Sequence, residues 1–561
     1  MSEAQANTLW ARVFVDELVR AGVREACVAP GSRSTPLVLA LARHEEVEAF
    51  VHFDERSASF FALGLARCTG RPAAVVTTSG TATANLFPAV VEAGASGTPL
   101  LLLTADRPRR LRGTDANQTT DQAGLYGGHV RLFHDVARPD PAPRSLRYLR
   151  ALAARAVAAS AGSPAGPVHL NFPFDKPLEP PPAGGGPEGR RASREEEDGG
   201  RSGGRPWTRV GATARVADPA GVAGLVDRLS GARRGLLVGG ACSGCRPPGR
   251  ELLRLSRVSG WPLLADPLSG ARFAPGAPDL GVTGYDLFLR DPETRAALAP
   301  EAVLRFGPAP TSAAVATYLQ EHADAEQIVF DAGVAWPDHG ATASTCWRVD
   351  ARRAASDLAD AWPDGGAVDG AWRDLWRRTG QRTAEAVDRE LAGEAFEGST
   401  LASVAAALPE GSQLFVGSSM PVRDLDAFGR PRHEEVRVLG NRGVSGIDGS
   451  VSTAVGAAAS GRPTVAVLGD LALLHDVNGL HAATERGLDV VLVVLHNDGG
   501  GIFHMLPVRE HEPAFTRFFA TPHGRDPADA ARLYGWEHRR VPAGTDAGAV
   551  VADALERGGA R

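Results

Sequence analysis

Asp470, in Gly469-Asp470-Leu471, and Asn497, in Asn497-Asp498-Gly499, are oxygen-bearing side chains 27 positions apart, each following an apolar run. Those runs, TVAVLG and LDVVLVVLH, read as buried β-strands. Between them LALLHDVNGLHAATERG has helical length and periodicity, which predicts a strand–helix–strand unit with parallel strands. Neighbouring parallel strands lie about 4.8 Å apart, so the two side chains can share one small, hard cation. A carboxylate, an amide oxygen and the main-chain carbonyl of Gly499 suit Mg²⁺, which keeps positions open for phosphate oxygens. Glycines let the backbone approach a diphosphate, and a helix starting after Asp470 favours negative charge at its N-terminus. The expected chemistry is the holding of a metal diphosphate.

The elements that must carry this unit alternate between strand-like and helix-like runs, an α/β pattern with parallel sheets. Residues 1–178 contain EACVAP, EAFVHF, AAVVTT, PLLLLTA and PVHLNFP as strand candidates. Residues 179–206 lose all periodicity to Pro, Gly and charge and read as an exposed linker. A second block, 207–350, has GLLVGG, PLLAD, AVLRFG and QIVFDAG as strands. A polar stretch near 351–370 leads to a third block, 371–561, which holds the metal motif. GLLVGGACSG resembles a nucleotide-binding turn, but a lone glycine-rich turn is weak, and a structural role is expected of it.

Bulk properties exclude several classes. The chain has 561 residues, 43% hydrophobic and 22% charged, with a formal charge of −6. That leaves no basic footprint for nucleic acid or a membrane surface. No run approaches the ~20 apolar residues of a membrane span, and the first residues lack a signal peptide's apolar core, so the cytoplasm is expected. Lys176 is the sole lysine, so anion sites must be built from arginine. Cys27, Cys68 and Cys346 are scattered, and Cys242 and Cys245 form a C-x-x-C without a second pair. A structural role for these is preferred over zinc binding or redox work.

Several further stretches carry a resemblance. They are APGSRSTPL (29–37), HFDERSASFFALGLAR (52–67), TTSGTATANLFPAVVEA (77–93), LLLLTADRPRRLRGTDANQTTDQAGLYG (100–127), GSSMPVRDLD (417–426), NRGVSGIDGS (441–450) and NDGGGIFHMLP (497–507). Together with the Asp470–Asn497 pair they resemble the thiamine-diphosphate-dependent decarboxylase family. Its usual metal motif is Gly-Asp-Gly followed by Asn; here Leu471 replaces the last glycine. The resemblance implies three doubly wound parallel-sheet domains: pyrimidine-binding, middle and diphosphate-binding. It also implies thiamine diphosphate with Mg²⁺ or Mn²⁺ as cofactors, and a homodimer or homotetramer.

The resemblance assigns roles residue by residue. Glu55, in HFDER, falls where the family's cofactor-activating glutamate lies; read without the family it is an acid in a helix's first turn. Asp470, Asn497 and Gly499 would hold the metal. Ser419, Met420, Gly446, Ile447, Gly469, Leu471, Ala472 and Ile502 would contact the cofactor, with Ile447 as the bulky residue beneath it. Arg33, Arg107, Arg423 and Arg442 sit in motif loops, where guanidinium forks can orient carboxylates. Ser32, Gln118 and Ser418, with Ser419, would add hydrogen bonds to substrate, and Arg33 and Gln118 join Glu55 at the reacting centre. Ala313 stands where the family often has lysine, with Arg305 as the nearby cation. His496 and His504 are read as packing residues, and Asp54, Arg56 and Asp498 as structural.

Within the family the motifs are most similar to the menaquinone-pathway branch, which decarboxylates 2-oxoglutarate and adds the product to isochorismate. Two dicarboxylate substrates account for the arginine set. Three alternatives stay open: an acetolactate synthase-like enzyme for smaller 2-oxo acids, a non-catalytic cofactor-binding paralogue, and an FAD-dependent relative.

Overall fold

Continuous Val/Leu/Ala runs with no polar alternation demand cover on both faces, and they form three all-parallel sheets in the computed structural model of the protein. The structure describes residues 1–180, 200–211, 213–241, 244, 246–363, 367–392 and 395–561. Cys242, Cys245 and most of the expected linker lie outside the described residues. The chain divides into two compact units, Met1–Thr213 and Ala214–Arg561.

The first unit is built on a six-stranded sheet. Its spatial order is Glu48–Val51, Glu25–Val28, Ala73–Thr77, Leu100–Asp106, Pro167–Pro173 and Leu132–Asp135. The two central strands Ala73–Thr77 and Leu100–Asp106 are buried at every residue. Trp10, Phe14, Leu18, Leu149 and Ala153 from flanking helices pack with Val76, Leu101, Leu103 and Phe172 in one core. The edge strand Leu132–Asp135 went unforeseen because half of its four residues are polar. Helix Glu55–Thr69 starts where Asp54 accepts the amides of Arg56 and Ser57, and stops at Gly70 in the left-handed region. Asp54 is therefore the helix cap, which leaves the Glu55 carboxyl for other partners.

The second unit contains two sheets. One runs Thr345–Trp347, Glu326–Phe330, Ala302–Phe306, Gly235–Gly239, Leu263–Ala265. The other runs Arg437–Leu439, Gln413–Val416, Thr464–Gly469, Val490–Leu495. The stretch read from composition as a polar connection is helix Ala351–Ala361, whose Ala354, Ala355 and Leu358 pack into the first of these cores. Helix Gly370–Leu391 likewise sends Trp372 and Trp376 against Leu236, Val238 and Tyr318. Helical periodicity with few apolar residues concealed both contributions.

Arg272 joins the two halves of this unit. Its guanidinium, 5% exposed, meets Asp426 Oδ1 at 2.6 Å and donates to the carbonyls of Ala265, Leu425 and Asp426. Tyr285 donates its hydroxyl to the same Asp426 oxygen at 2.6 Å. A charge so deeply buried persists only because its donors are nearly all satisfied.

Candidate functional site

In the second unit, parallel register aligns Gly469 with Leu495, which places Asp470 and His496 side by side at the carboxyl ends of their strands. Asn497 follows directly. The segment between the strands is not one helix: helix Asp470–His475 gives way to a 3₁₀ turn at Val477–Gly479 and then helix Leu480–Arg486. Buried Asp476 breaks it by accepting Ser452's amide at 2.6 Å and hydroxyl at 2.9 Å. Leu471 lies within helix Asp470–His475, so no left-handed backbone requires glycine at that position.

Asp470 is buried and surrounded by N–H donors. Its Oδ1 accepts the Leu471 amide at 2.7 Å, and its Oδ2 accepts His496 Nδ1 at 2.9 Å and the Gly499 amide at 3.2 Å. His523 Nε2 is also 3.2 Å from Oδ2. Asn497 donates Nδ2 to Glu397 Oε1 at 2.7 Å, which orients the amide of its side chain. Gly499 must be glycine: at φ +146° an added Cβ would lie 2.0 Å from the Ala520 carbonyl. Its own carbonyl accepts the Gly501 amide at 3.0 Å. Asp470 and Asn497, both expected as metal ligands, thus follow the ends of neighbouring parallel strands, while Gly499, expected to offer its carbonyl, turns its N–H to Asp470. His523 was missed by sequence reasoning. It lies in an irregular segment with no periodicity, and only tertiary folding brings it to Asp470.

The other residues expected of the third block lie in loops and at helix starts of the second unit. Ser418 is buried and donates to the Asn441 carbonyl at 3.2 Å. Ser419 holds φ +73°, a strained conformation for a non-glycine residue, directly before Met420 opens helix Met420–Phe428. Arg423, exposed, reaches back to donate to the Ser419 carbonyl. Gly446 and Ile447 are partly buried in a loop where Ser445 holds φ +61°, and Ile447's carbonyl accepts Ser450 Oγ at 2.8 Å. Arg442 is partly buried, Ala472 buried, and Ile502 lies in the 3₁₀ turn Gly501–Met505. Asp424 is buried with Oδ2 lacking a hydrogen-bond partner among the described residues. Burial, then the charge of Glu397, push its carboxyl up to about 7.

The first unit gathers a second cluster. Ser32 and Arg33 form a 3₁₀ turn beyond strand Glu25–Val28. Gly31 precedes it because an added Cβ would fall 2.3 Å from Thr78 Cβ. Arg33 is 7% exposed, and Nη1 donates to the Phe174 carbonyl at 2.8 Å. Its buried Nε has no partner among the described residues. Burial and then the nearby charge of Arg107 lower its pKa. Arg107, also buried, donates to Ser79 Oγ. Gln118, at φ +56°, donates Nε2 to the Ser79 carbonyl at 3.0 Å and accepts Ser79 Oγ at 3.1 Å. Ser79 therefore ties Arg107 to Gln118. Glu55 opens its helix and accepts Asn85 Nδ2 at 3.3 Å. Arg305 does not stand in as a loose cation: it is buried, with Nη1 2.8 Å from Asp338 Oδ1.

Comparisons with known proteins agree in order along the chain. Residues 10–125 match the thiamine pyrophosphate enzyme N-terminal TPP binding domain. Residues 204–416 match the middle domain of thiamine pyrophosphate, and 427–561 the C-terminal TPP binding domain. A protein of Haloarcula marismortui named 2-succinyl-5-enolpyruvyl-6-hydroxy-3-cyclohexene-1-carboxylate synthase is 46% identical over 551 residues, covering 96% of this chain and 92% of its own. A protein of the same name from Roseiflexus sp. is 43% identical over 541 residues, covering 95% and 91%. Among solved structures, benzoylformate decarboxylase from Polynucleobacter necessarius superposes with a TM-score of 0.70 at 16% identity, covering 98% of this chain and 97% of its own. That last likeness speaks to the fold alone.

Proposed function

Because this chain belongs to the 2-succinyl-5-enolpyruvyl-6-hydroxy-3-cyclohexene-1-carboxylate synthases among the thiamine pyrophosphate enzymes, we propose that it decarboxylates 2-oxoglutarate and joins the remainder to isochorismate in 1,4 fashion. The products are CO₂ and 2-succinyl-5-enolpyruvyl-6-hydroxy-3-cyclohexene-1-carboxylate, for menaquinone. The observation that carries this reading is a buried carboxylate, Asp470, beside the Asn497 amide at the ends of adjacent parallel strands, in a chain of this family.

Thiamine diphosphate, when bound, supplies the electron sink for loss of CO₂. The chain's residues fit it. Asp470 faces hydrogen-bond donors and, among the described residues, no arginine at its Oδ2, so a divalent ion, Mg²⁺ or Mn²⁺, is the natural neutralising charge. Asp470 and Asn497 would hold that ion. Ser419, Met420, Gly446, Ile447, Gly469, Leu471, Ala472, Gly499 and Ile502 would surround the cofactor. Glu55 would hold a proton at the aminopyrimidine ring, its carboxyl fixed by Asn85.

The substrate's carboxylates are the arginines' task. Arg33 and Arg107 are buried close enough for one to depress the other's pKa, and Arg33 Nε lacks a partner among the described residues. A bound carboxylate relieves both costs. Ser32, Gln118, Ser418, Ser419, Arg423 and Arg442 complete the proposed substrate contacts. No helix among the described residues is long and apolar enough to cross a membrane; cytoplasmic residence and a homodimer or homotetramer belong to the same reading.

The test is an assay of purified protein with thiamine diphosphate, Mg²⁺, 2-oxoglutarate and isochorismate. Isochorismate disappears with equimolar CO₂ release, and replacing 2-oxoglutarate by pyruvate stops the reaction. Equal turnover with pyruvate would move the chain to the acetolactate synthase-like alternative.

A further inference from the structure

Parallel register pairs Thr77 with Thr104, so Ser79 and Arg107 lie just beyond the carboxyl ends of the neighbouring strands Ala73–Thr77 and Leu100–Asp106. That end of a parallel sheet is where ligands sit. Ser79 is fully buried and touches two residues read above as substrate contacts. Arg107 Nη1 donates to Ser79 Oγ, the acceptor its guanidinium has among the described residues. A guanidinium can only donate, so the Ser79 hydroxyl must turn its single proton elsewhere, and it donates to the Gln118 carbonyl at 3.1 Å. At this oxygen the hydrogen bonds run one way, from Arg107 through Ser79 to Gln118. Gln118 in turn donates Nε2 to the Ser79 carbonyl at 3.0 Å.

The backbones on either side are anchored by other groups. The Arg107 amide donates to Asp106 Oδ1 at 2.7 Å, and Asp106 Oδ2 lies 2.8 Å from Arg112 Nη2 and accepts Asn171 Nδ2 at 2.9 Å. The Gly80 amide donates to buried Gln122 Oε1 at 2.9 Å, and Gln122 Nε2 donates to Asn171 Oδ1 at 2.9 Å. These bonds leave two things to the Ser79 hydroxyl: the direction of the Arg107 fork and the Gln118 main chain, which holds φ +56°. Resting on the reading of Arg107 and Gln118 as substrate contacts, we infer that Ser79 is a positioning residue for substrate recognition, its hydroxyl aiming the Arg107 guanidinium at an incoming carboxylate and holding Gln118 beside it. Ser79 touches no reacting atom. Without its hydroxyl Arg107 keeps its charge but loses its aim, and an unaimed fork forfeits the paired hydrogen bonds that orient a carboxylate.

Ser79→Ala, Arg107→Ala and the double variant, assayed as full-length protein with both substrates, form the test. Arg107→Ala should raise KM for at least one of 2-oxoglutarate and isochorismate, which marks the substrate it serves. Ser79→Ala should raise KM for that same substrate about tenfold, with kcat within about threefold of the parent and thiamine diphosphate affinity unchanged by calorimetry. Added to Arg107→Ala, it should lower kcat/KM by less than about twofold, because the group it acts through is gone. Circular dichroism matching the parent establishes that the variants fold. If Ser79→Ala does not, Ser79→Cys keeps nearly the same volume with a weaker acceptor and should raise the same KM. A parent-like KM in the folded variant, or the full loss repeated on top of Arg107→Ala, overturns the inference and leaves Arg107 a substrate contact. Both KM values unchanged in Arg107→Ala would overturn the reading of Arg107 and the inference together.

Discussion

Exchanging Glu55 for glutamine keeps the side chain's size and its contact with Asn85 while removing the proton-holding carboxyl. Glu55→Gln is expected to bind thiamine diphosphate within about threefold of the parent and to lose roughly 10²–10⁴ in turnover, the range for a removed acid–base group. Fluorescence titration and steady-state kinetics check the two halves separately. Asp424 has a different consequence, in stability. Its carboxyl is raised to about 7, so the folded protein holds that proton more tightly than the unfolded chain does. The stability it contributes is complete below pH 4 and is lost as pH rises through about 7. Asp424→Asn should flatten this slope and melt roughly 2–4 °C above the parent at pH 8, as followed by calorimetry. The placement of Asp470 and Asn497 at neighbouring strand ends was legible because a motif fixed it. His523 was not, because only the fold carries it from the irregular segment 521–525 to Asp470.

At the scale of elements, the turn into helix Met420–Phe428 stores strain in Ser419 at φ +73°. Such a residue costs about 1–3 kcal/mol and persists where function demands its geometry. Ser419→Gly should therefore raise the melting temperature while raising KM for 2-oxoglutarate; a stability gain with unchanged kinetics would remove Ser419 from the site. Long apolar strands were legible because burial on both faces leaves no polar alternation, as in Ala73–Thr77 and Thr464–Gly469. Two short edge strands were not: Leu132–Asp135 and Thr345–Trp347 are partly exposed throughout, so neither shows a continuous apolar run. The break at Asp476 was equally hidden, since Ser452, the residue that captures it, lies 24 positions away.

Within the second unit Arg272 ties Asp426 to the carbonyl of Ala265 and the hydroxyl of Tyr285. Arg272→Ala would strand a buried carboxylate, at about 3–5 kcal/mol, and urea unfolding should show a lower midpoint for this unit. Unperturbed unfolding would mean the network is redundant. The proposal that Asp470 holds a metal diphosphate is tested most directly by calorimetry of thiamine diphosphate binding in Mg²⁺ and in EDTA, for the parent protein and Asp470→Ala. Saturable uptake is expected of the parent only when the divalent ion is present, and none of Asp470→Ala in either buffer. Equal affinity in EDTA, or undiminished uptake by Asp470→Ala, would contradict it.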